Sequence, residues 1–392
     1  MTEEVLIAAA RRTPIGSFQG ALSALTAPQL GAIAIAAAIK DSGLDAEQLD
    51  ETIFGCVLSA GIGQAPGRQA ALAGGVPLRV PATTINKMCG SGLKAVMMAA
   101  DQIRAGSARA ILAGGMESMT NAPYLLPKAR AGMRMGHAEV LDHMILDGLQ
   151  SPFDGQAMGF FADATAKKYG ITREQQDAFA AESVRRALDA VDSGRFAREV
   201  AVATVKDRKG ERLVAKDETP FNCDVSRIPT MKPAFSKDGT VTAASSSSIS
   251  DGAAATIIVS GSFAQSQKLK PLARIVAYAS HAQAPEWFTT APVGAIQSVL
   301  SKTGWRADQV DLYEINEAFA VVTMAAIHDI SLDPAKVNVN GGACALGHPI
   351  GATGARILTT LVHALQQQGK KRGIASLCIG GGEAVAVAIE IV

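Results

Sequence analysis

The stretch Asn86-Lys-Met-Cys-Gly-Ser-Gly-Leu-Lys-Ala-Val-Met-Met-Ala-Ala-Asp-Gln-Ile-Arg-Ala-Gly106, followed by Ala110-Ile-Leu-Ala-Gly-Gly-Met-Glu-Ser118, decides the fold class. From Gly92 to Ala105 apolar side chains recur at helical spacing, and Gly106 is a helix stop. Ala110 to Ala113 is a short apolar run closed by glycines, which reads as a buried strand. Upstream, Val5 to Ala10 reads as a strand, Ala27 to Ser42 as a helix closed by Gly43, and Thr52 to Leu58 as a second strand. Strand, helix and strand in this order predict a parallel α/β sheet. A similar unit returns late in the chain. Thr353-Gly354-Ala355 precedes a helix and a strand that ends in Gly380-Gly-Gly-Glu383. This loose internal repeat predicts two related halves. It places Cys89 and His348 at corresponding corners, each just before a helix, with both helix N-termini at one central site.

Between the halves the pattern breaks up, from Met119 to about Ser250. Met, Pro and Gly are scattered to residue 160, and a charged helix from Thr172 to Ser193 opens with the capping-box sequence Thr172-Arg-Glu-Gln175. Turn-rich polar sequence follows, up to the serine run Ser245 to Ser248. This segment reads as an insertion over the α/β body. The domains are expected at 1–118 with 250–271, 119–249 and 272–392. At 392 residues the chain has length for two or three domains at about 150 residues each.

Composition narrows the function. A net charge of +1 offers no whole-chain field for nucleic acid or an anionic membrane. No apolar run reaches the roughly 18 residues of a membrane span, and the N-terminus lacks the order of regions of a signal peptide. Five cysteines, none in metal-ligand spacing, point to free thiols in a reducing, cytoplasmic setting and to no metal site. Neither a nucleotide phosphate loop nor a dinucleotide fingerprint is present.

Four short segments carry the chemistry. Cys89 ends an extended segment before a helix, where the helix dipole and free N–H groups are expected to lower a thiol pKa. The alternative is a buried structural thiol. His348, in Gly347-His-Pro-Ile-Gly-Ala-Thr-Gly354, precedes a proline at an expected first helical position and could take the Cys89 proton. Cys378, in Leu377-Cys-Ile-Gly-Gly-Gly382, ends a strand before glycines whose N–H groups could hold an oxyanion. Asn316, in Glu314-Ile-Asn-Glu-Ala-Phe-Ala320, reads by itself as a helix N-cap. Cys56, Cys223 and Cys344 read as structural.

Together, with Arg11-Arg-Thr-Pro-Ile-Gly16, Gly114 to Ser118 and Asn340-Gly-Gly342, these segments resemble the thiolase family over nearly the whole chain. The resemblance implies a fold of two duplicated βαβαβαββ halves in five αβαβα layers with an inserted loop domain. It implies reversible condensation of two acetyl-CoA to acetoacetyl-CoA and CoA, or thiolysis of short 3-ketoacyl-CoA. Cys89 would carry the acyl group, His348 would deprotonate it, and Cys378 would remove the α-proton of the second acetyl-CoA. Asn316 would hold an oxyanion water with His348, and the N–H groups of Cys89 and Gly380 would form a second oxyanion hole. Coenzyme A would be a substrate and no separate cofactor is implied. It would lie along Ser247, Phe235, Phe319, Ala244 and Met158. A homotetramer (a dimer of dimers) or a homodimer is implied, with Met119 to Met144 at the tetramer contact.

The chain departs from the family pattern at Ala157-Met158-Gly159, where a histidine usually precedes the methionine, and the lost ring is expected to enlarge the acyl pocket. Ser245 to Ser248 and Ser250-Asp251 replace more varied runs, and without the resemblance the serine run reads as a flexible polar turn. Asp217 to Asn222 lacks an arginine near the CoA adenine, leaving Arg227 and Lys232 as candidates. Trp287-Phe288 is expected to restrict acyl length. Broader or 2-methyl-branched 3-ketoacyl-CoA specificity is therefore an alternative. So are a decarboxylating ketoacyl-synthase-type enzyme, against which Cys378 speaks, and a catalytically weak acyl-CoA-binding paralogue.

Overall fold

The computed structural model describes residues 3–207 and 210–392. Nine longer strands form its main sheet: β1 (Val5–Arg12), β2 (Glu51–Gly55), β3 (Ala82–Ile85), β4 (Ala110–Ser118), β5 (Ser250–Ser260), β6 (Ala273–Ala282), β7 (Leu312–Ile315), β8 (Arg372–Ile379) and β9 (Glu383–Ile391). Their order is β7-β8-β9-β6-β1-β5-β4-β2-β3. Only Leu6↔Arg274 and Ile7↔Ala273 join β1 to β6, so the sheet is two halves bonded at one short seam.

Each half is mixed rather than parallel. β2 runs parallel to β3 and β4, and β7 to β8. β4–β5–β1 and β8–β9–β6 are antiparallel. The cause is local: a strand reached through a crossover helix returns parallel, whereas β8 and β9 are joined by a tight glycine turn that reverses the chain. The two strand orders, 3-2-4-5-1 and 7-8-9-6, correspond once the third strand of the second half is recognised. It has shrunk to one bridge, Tyr313↔Val337.

Helices α1 (Ala27–Ser42) and α2 (Pro66–Ala73) cover one face of the first half, around Leu30, Ile35 and Phe54. The capping box Thr26/Gln29 starts α1, and Gly43, at φ +66°, ends it. Helices α6 (Ala291–Thr303) and α7 (Ala320–Ile330) pack around Ile296, Val299 and Ile374 on the far face of the second half. The middle layer holds α3 (Ser91–Arg104) and α8 (Ile350–Gln367), packed between both sheets around Leu93, Leu361 and Val385. The layers are thus α, β, α, β, α.

Two glycines let the central helices meet. A Cβ on Gly92 would lie 2.8 Å from the Ala355 backbone N, and one on Gly354 2.4 Å from that of Leu93. The repeat read from the sequence is this crossing, with each glycine seated on the opposite helix. Gly354 lies inside α8, not before it, because the helix starts at Ile350. Between β4 and β5 the chain builds α4 (Met158–Tyr169) and α5 (Arg173–Asp192), the latter opened by the expected Thr172/Gln175 capping box.

This insertion is tied to the body by buried charge. Arg12 ends β1 with its side chain fully buried, and pairs with Glu199 at 2.6 Å and Asp217 at 2.7 Å. Burial alone would lower the Arg12 pKa, but the two carboxylates raise it above its ordinary value. The acids of the 217–222 stretch therefore hold the N-terminal strand. Glu218 likewise accepts from the N–H groups of Ser17 and Ala21.

Candidate active site

Strand β3 ends at Ile85 and α3 begins at Ser91, and the five residues between them turn sharply. Met88 is held at φ +48°, a left-handed conformation that costs a non-glycine residue about 1 kcal/mol. Asn86 Oδ1 accepts from its N–H at 2.9 Å, and the Ser91 hydroxyl donates to its carbonyl at 2.6 Å. Lys87 pairs with Glu383 of the other half. Cys89 is thereby lifted to the tip of the turn.

The Gly380 N–H and the Cys89 N–H lie near enough to the Cys89 thiol to favour its thiolate. These are the two groups the resemblance assigns to an oxyanion hole. Cys89 stays partly exposed, yet burial of its sulfur pushes the pKa up to about 11, against the lowering of these N–H groups. The expected depression of its pKa is thus reversed: a thiolate facing Met88, Val57 and Ile350 loses more solvation than two N–H groups return. Cys378 is the last residue but one of β8, with its side chain buried, and burial together with the neighbouring Cys89 holds its thiol well above the ordinary value.

His348 sits just before α8, its N–H donating to Ser248 O at 3.1 Å. Pro349 is the N-cap rather than the first helical residue. His348 Nδ1 lies 2.6 Å from Thr353 Oγ1, whose hydroxyl donates to Pro349 O at 2.9 Å. With its only proton committed, the hydroxyl must accept from Nδ1–H, which leaves the Nε2 lone pair free. Nε2 is buried without a partner among the described residues. Burial, then the Arg356 charge, lower the imidazole pKa to about 3, so the ring is neutral.

Asn316 leaves β7 with its N–H bonded to Ser376 O at 3.0 Å. It is not an N-cap: α7 begins at Ala320, and both Asn316 amide atoms are buried without a partner among the described residues. An amide spared from capping is free to orient a ligand or water.

Four of the five expected CoA contacts lie together. Ser247 donates through N and Oγ to Ala318 O, both at 3.0 Å. Phe319 shares a cluster with Cys378 and Met158, and Phe235 stacks edge-on against it at 5.8 Å. Gly159 makes room for Phe235, since a Cβ there would stand 2.2 Å from that ring. Ala244 packs instead with Ala180, Ile228 and Met231. The serine run is not a flexible turn: Ser245 and Ser246 are buried, and Ser245 O accepts from Ala320 N at 2.8 Å. Of the two aromatics at 287–288, only Phe288 joins the Cys378 cluster, whereas Trp287 lies under the Lys168 ammonium. Arg227 and Lys232 are exposed.

The description "Thiolase, N-terminal domain" matches residues 5–262, and "Thiolase, C-terminal domain" matches residues 269–391. The chain belongs to the thiolase family. An acetyl-CoA acetyltransferase of Pseudomonas aeruginosa is 50% identical over 389 residues, 99% of each chain. One of Cupriavidus necator is 47% identical over 392 residues, 100% of each. The structure resembles the acetyl-CoA acetyltransferase of Bacillus anthracis at a TM-score of 0.97 and 41% identity, covering 100% of this chain and 99% of that one. It resembles the Acat5 thiolase of Ascaris suum in complex with coenzyme A at 0.94 and 43%, covering 99% and 100%.

Two side chains of this thiolase's site lay outside the sequence reading. Thr353 reads from the sequence only as preceding a helix, and Glu117 only as part of a motif. Neither carries a one-sequence signal, because each acts through a partner far away in the chain or through one hydroxyl geometry. No helix among the described residues is long and apolar enough to cross a membrane.

Proposed function

We propose that this thiolase is an acetyl-CoA C-acetyltransferase that reversibly condenses two acetyl-CoA to acetoacetyl-CoA and CoA through acetyl-Cys89. The observation that carries the reading is the pair of thiols, Cys89 under the Gly380 N–H and Cys378 beside it, with an unpartnered imidazole nitrogen on His348. An acyl-CoA-binding protein has no use for a second buried thiol or a base stripped of partners.

With the imidazole near 3 and the Cys89 thiol near 11, the resting pair is neutral. Proton transfer from Sγ to His348 Nε2 must then accompany attack on the thioester carbonyl rather than precede it. The carbon–sulfur bond to CoA breaks, and the departing CoA sulfur takes the Cys378 proton, leaving Cys378 as a thiolate. That thiolate removes the α-proton of the second acetyl-CoA, and the carbanion attacks acetyl-Cys89. Cys89 leaves with the proton returned by His348, so protons balance over the cycle. The Cys89 and Gly380 N–H groups stabilise charge on the acyl oxygen, and Asn316 with His348 on the thioester oxygen of the second substrate.

Coenzyme A is a substrate in this scheme, and no further cofactor enters. The pantetheine would run past Ser247, Met158, Phe235 and Phe319, with Ala244 behind the serine run. Phe288 limits the acyl chain to short 3-ketoacyl groups, and exposed Ala157 leaves width for a 2-methyl branch. Exposed Tyr124, Leu126, Met135 and Val140 support assembly into a homotetramer through the 119–144 loop, within an inserted domain at 119–249. Five free thiols suit a reducing cytoplasm.

The test is thiolysis of acetoacetyl-CoA, followed spectroscopically, beside 3-ketohexanoyl-CoA and 2-methylacetoacetyl-CoA. Turnover fastest with acetoacetyl-CoA is expected. Protein that binds CoA but turns over none of the three refutes the reading.

A further inference from the structure

Glu117, at the end of β4, is fully buried and has no place in the proton transfers above. Its carboxylate gathers a loop and a helix start from opposite halves of the molecule. Oε1 accepts from Leu58 N at 3.0 Å, and Oε2 accepts from Val57 N at 3.1 Å and Gly351 N at 2.9 Å. The Cys56 thiol donates weakly to Oε1 at 3.8 Å. Gly351 is in the first turn of α8. The N-cap of that helix, Pro349, offers no side-chain acceptor, so this orphan N–H has its acceptor on another element. The fit is close: a Cβ at Gly351 would lie 2.7 Å from Glu117 Oε2 and 2.7 Å from Met116 O.

We propose that Glu117 is a positioning residue for His348: its carboxylate caps, across the interface between the halves, the helix that carries the histidine. Resting on the acetyltransferase reading, the proposal adds what holds the base in place. The logic is geometric. His348 is three residues before Gly351 and, among the described residues, has no side-chain anchor beyond Thr353, itself on α8. Whatever fixes the first turn of α8 against β4 and the 56–58 loop also fixes Nε2 relative to Cys89, which packs beside Val57 and Ile350.

The cap needs an ionised carboxylate, because both oxygens must accept. Protonation turns one oxygen into a donor and leaves a backbone N–H facing it. Burial, opposed by the three N–H groups and Cys56, raises the Glu117 pKa to about 7. The titratable groups on the elements around it are Cys56 beyond β2, Cys89 before α3, Asp251 on β5 and His348 before α8. The Glu117 charge also disfavours a Cys89 thiolate. Positioning and plain charge repulsion therefore predict opposite results when the charge is removed.

The experiment compares wild type with Glu117→Gln by the rate at which iodoacetamide alkylates Cys89, read by mass spectrometry, across the pH range around 7. Turnover is not needed, so this outcome is separate from that of the acetyltransferase reading. Above that pH, Glu117→Gln should be slower by about tenfold or more. Below it the two proteins should converge, because protonated Glu117 has the same defect as glutamine. In turnover, kcat should fall with KM for acetoacetyl-CoA held within about twofold. Alkylation as fast as or faster than wild type overturns the proposal. Should Glu117→Gln fail to fold, Glu117→Asp decides by the same comparison: it keeps the charge but cannot span the 56–58 loop and the start of α8, so slower alkylation is expected and parity overturns the proposal.

Discussion

Replacing Thr353 by valine keeps the shape of the side chain and removes one oxygen. That oxygen accepts the Nδ1–H of His348 at 2.6 Å and donates to Pro349 O at 2.9 Å. The second bond is cheap to lose, since Pro349 O also accepts from Ala352 N at 2.9 Å and Thr353 N at 3.0 Å. The first is not. A buried N–H left without a partner costs about 1–3 kcal/mol. The ring can relieve this only by moving its proton to Nε2, which removes the lone pair that takes the Cys89 proton. Both outcomes raise the acylation barrier. At about 1.4 kcal/mol per factor of ten, Thr353→Val should acetylate Cys89 roughly 5- to 150-fold more slowly. Rapid-quench acetylation with acetyl-CoA, read by intact mass spectrometry, measures it directly. Thr353→Ser, which keeps the hydroxyl, should recover most of the rate. A folded valine variant within about twofold of wild type would show that Thr353 does not set the tautomer.

Three further outcomes are expected. Cys378→Ser should accumulate an acetyl adduct on Cys89 after treatment with acetyl-CoA, while Cys89→Ser should carry none; an adduct on Cys378 alone would reverse the two roles. The folded-state pKa of His348 is depressed to about 3 from 6.5, so its contribution to stability is present above 6.5 and lost as pH falls toward 3, by about 5 kcal/mol in total. Denaturant unfolding of His348→Asn across that window should show a shallower acid loss than wild type, and parallel curves would contradict the assignment. Arg12→Met leaves Glu199 and Asp217 buried without their cation and should cost about 3–5 kcal/mol of stability. Breaking the exposed Arg306–Asp308 pair should leave the unfolding midpoint unchanged, and similar losses in both variants would refute the distinction.

The elements most legible in the sequence carry local signals. Helix α1 was closed by Gly43, and α5 opened by its capping box, because backbone groups at helix ends need partners that neighbouring residues supply. The direction of β9 was not legible, since a buried apolar run is alike in parallel and antiparallel pairing. The third strand of the second half has no pattern because only Val337 bridges. The serine run by itself read as a flexible polar turn; contact with the 318–320 backbone buries Ser245 and Ser246, and that contact crosses some seventy residues of chain.

By itself the sequence determined the two halves, their common helix–strand–glycine unit, and the four residue types at Cys89, Asn316, His348 and Cys378. These depend on local propensity and on chemistry that few other residues supply. Only the tertiary structure decided their state. The Cys89 thiol is raised rather than lowered, because burial depends on what packs against the sulfur and not on the helix that follows it. His348 is a neutral imidazole with its free nitrogen fixed, because Thr353 reaches it directly and, in our proposal, Glu117 through Gly351, by hydrogen bonds whose geometry is a property of the folded chain.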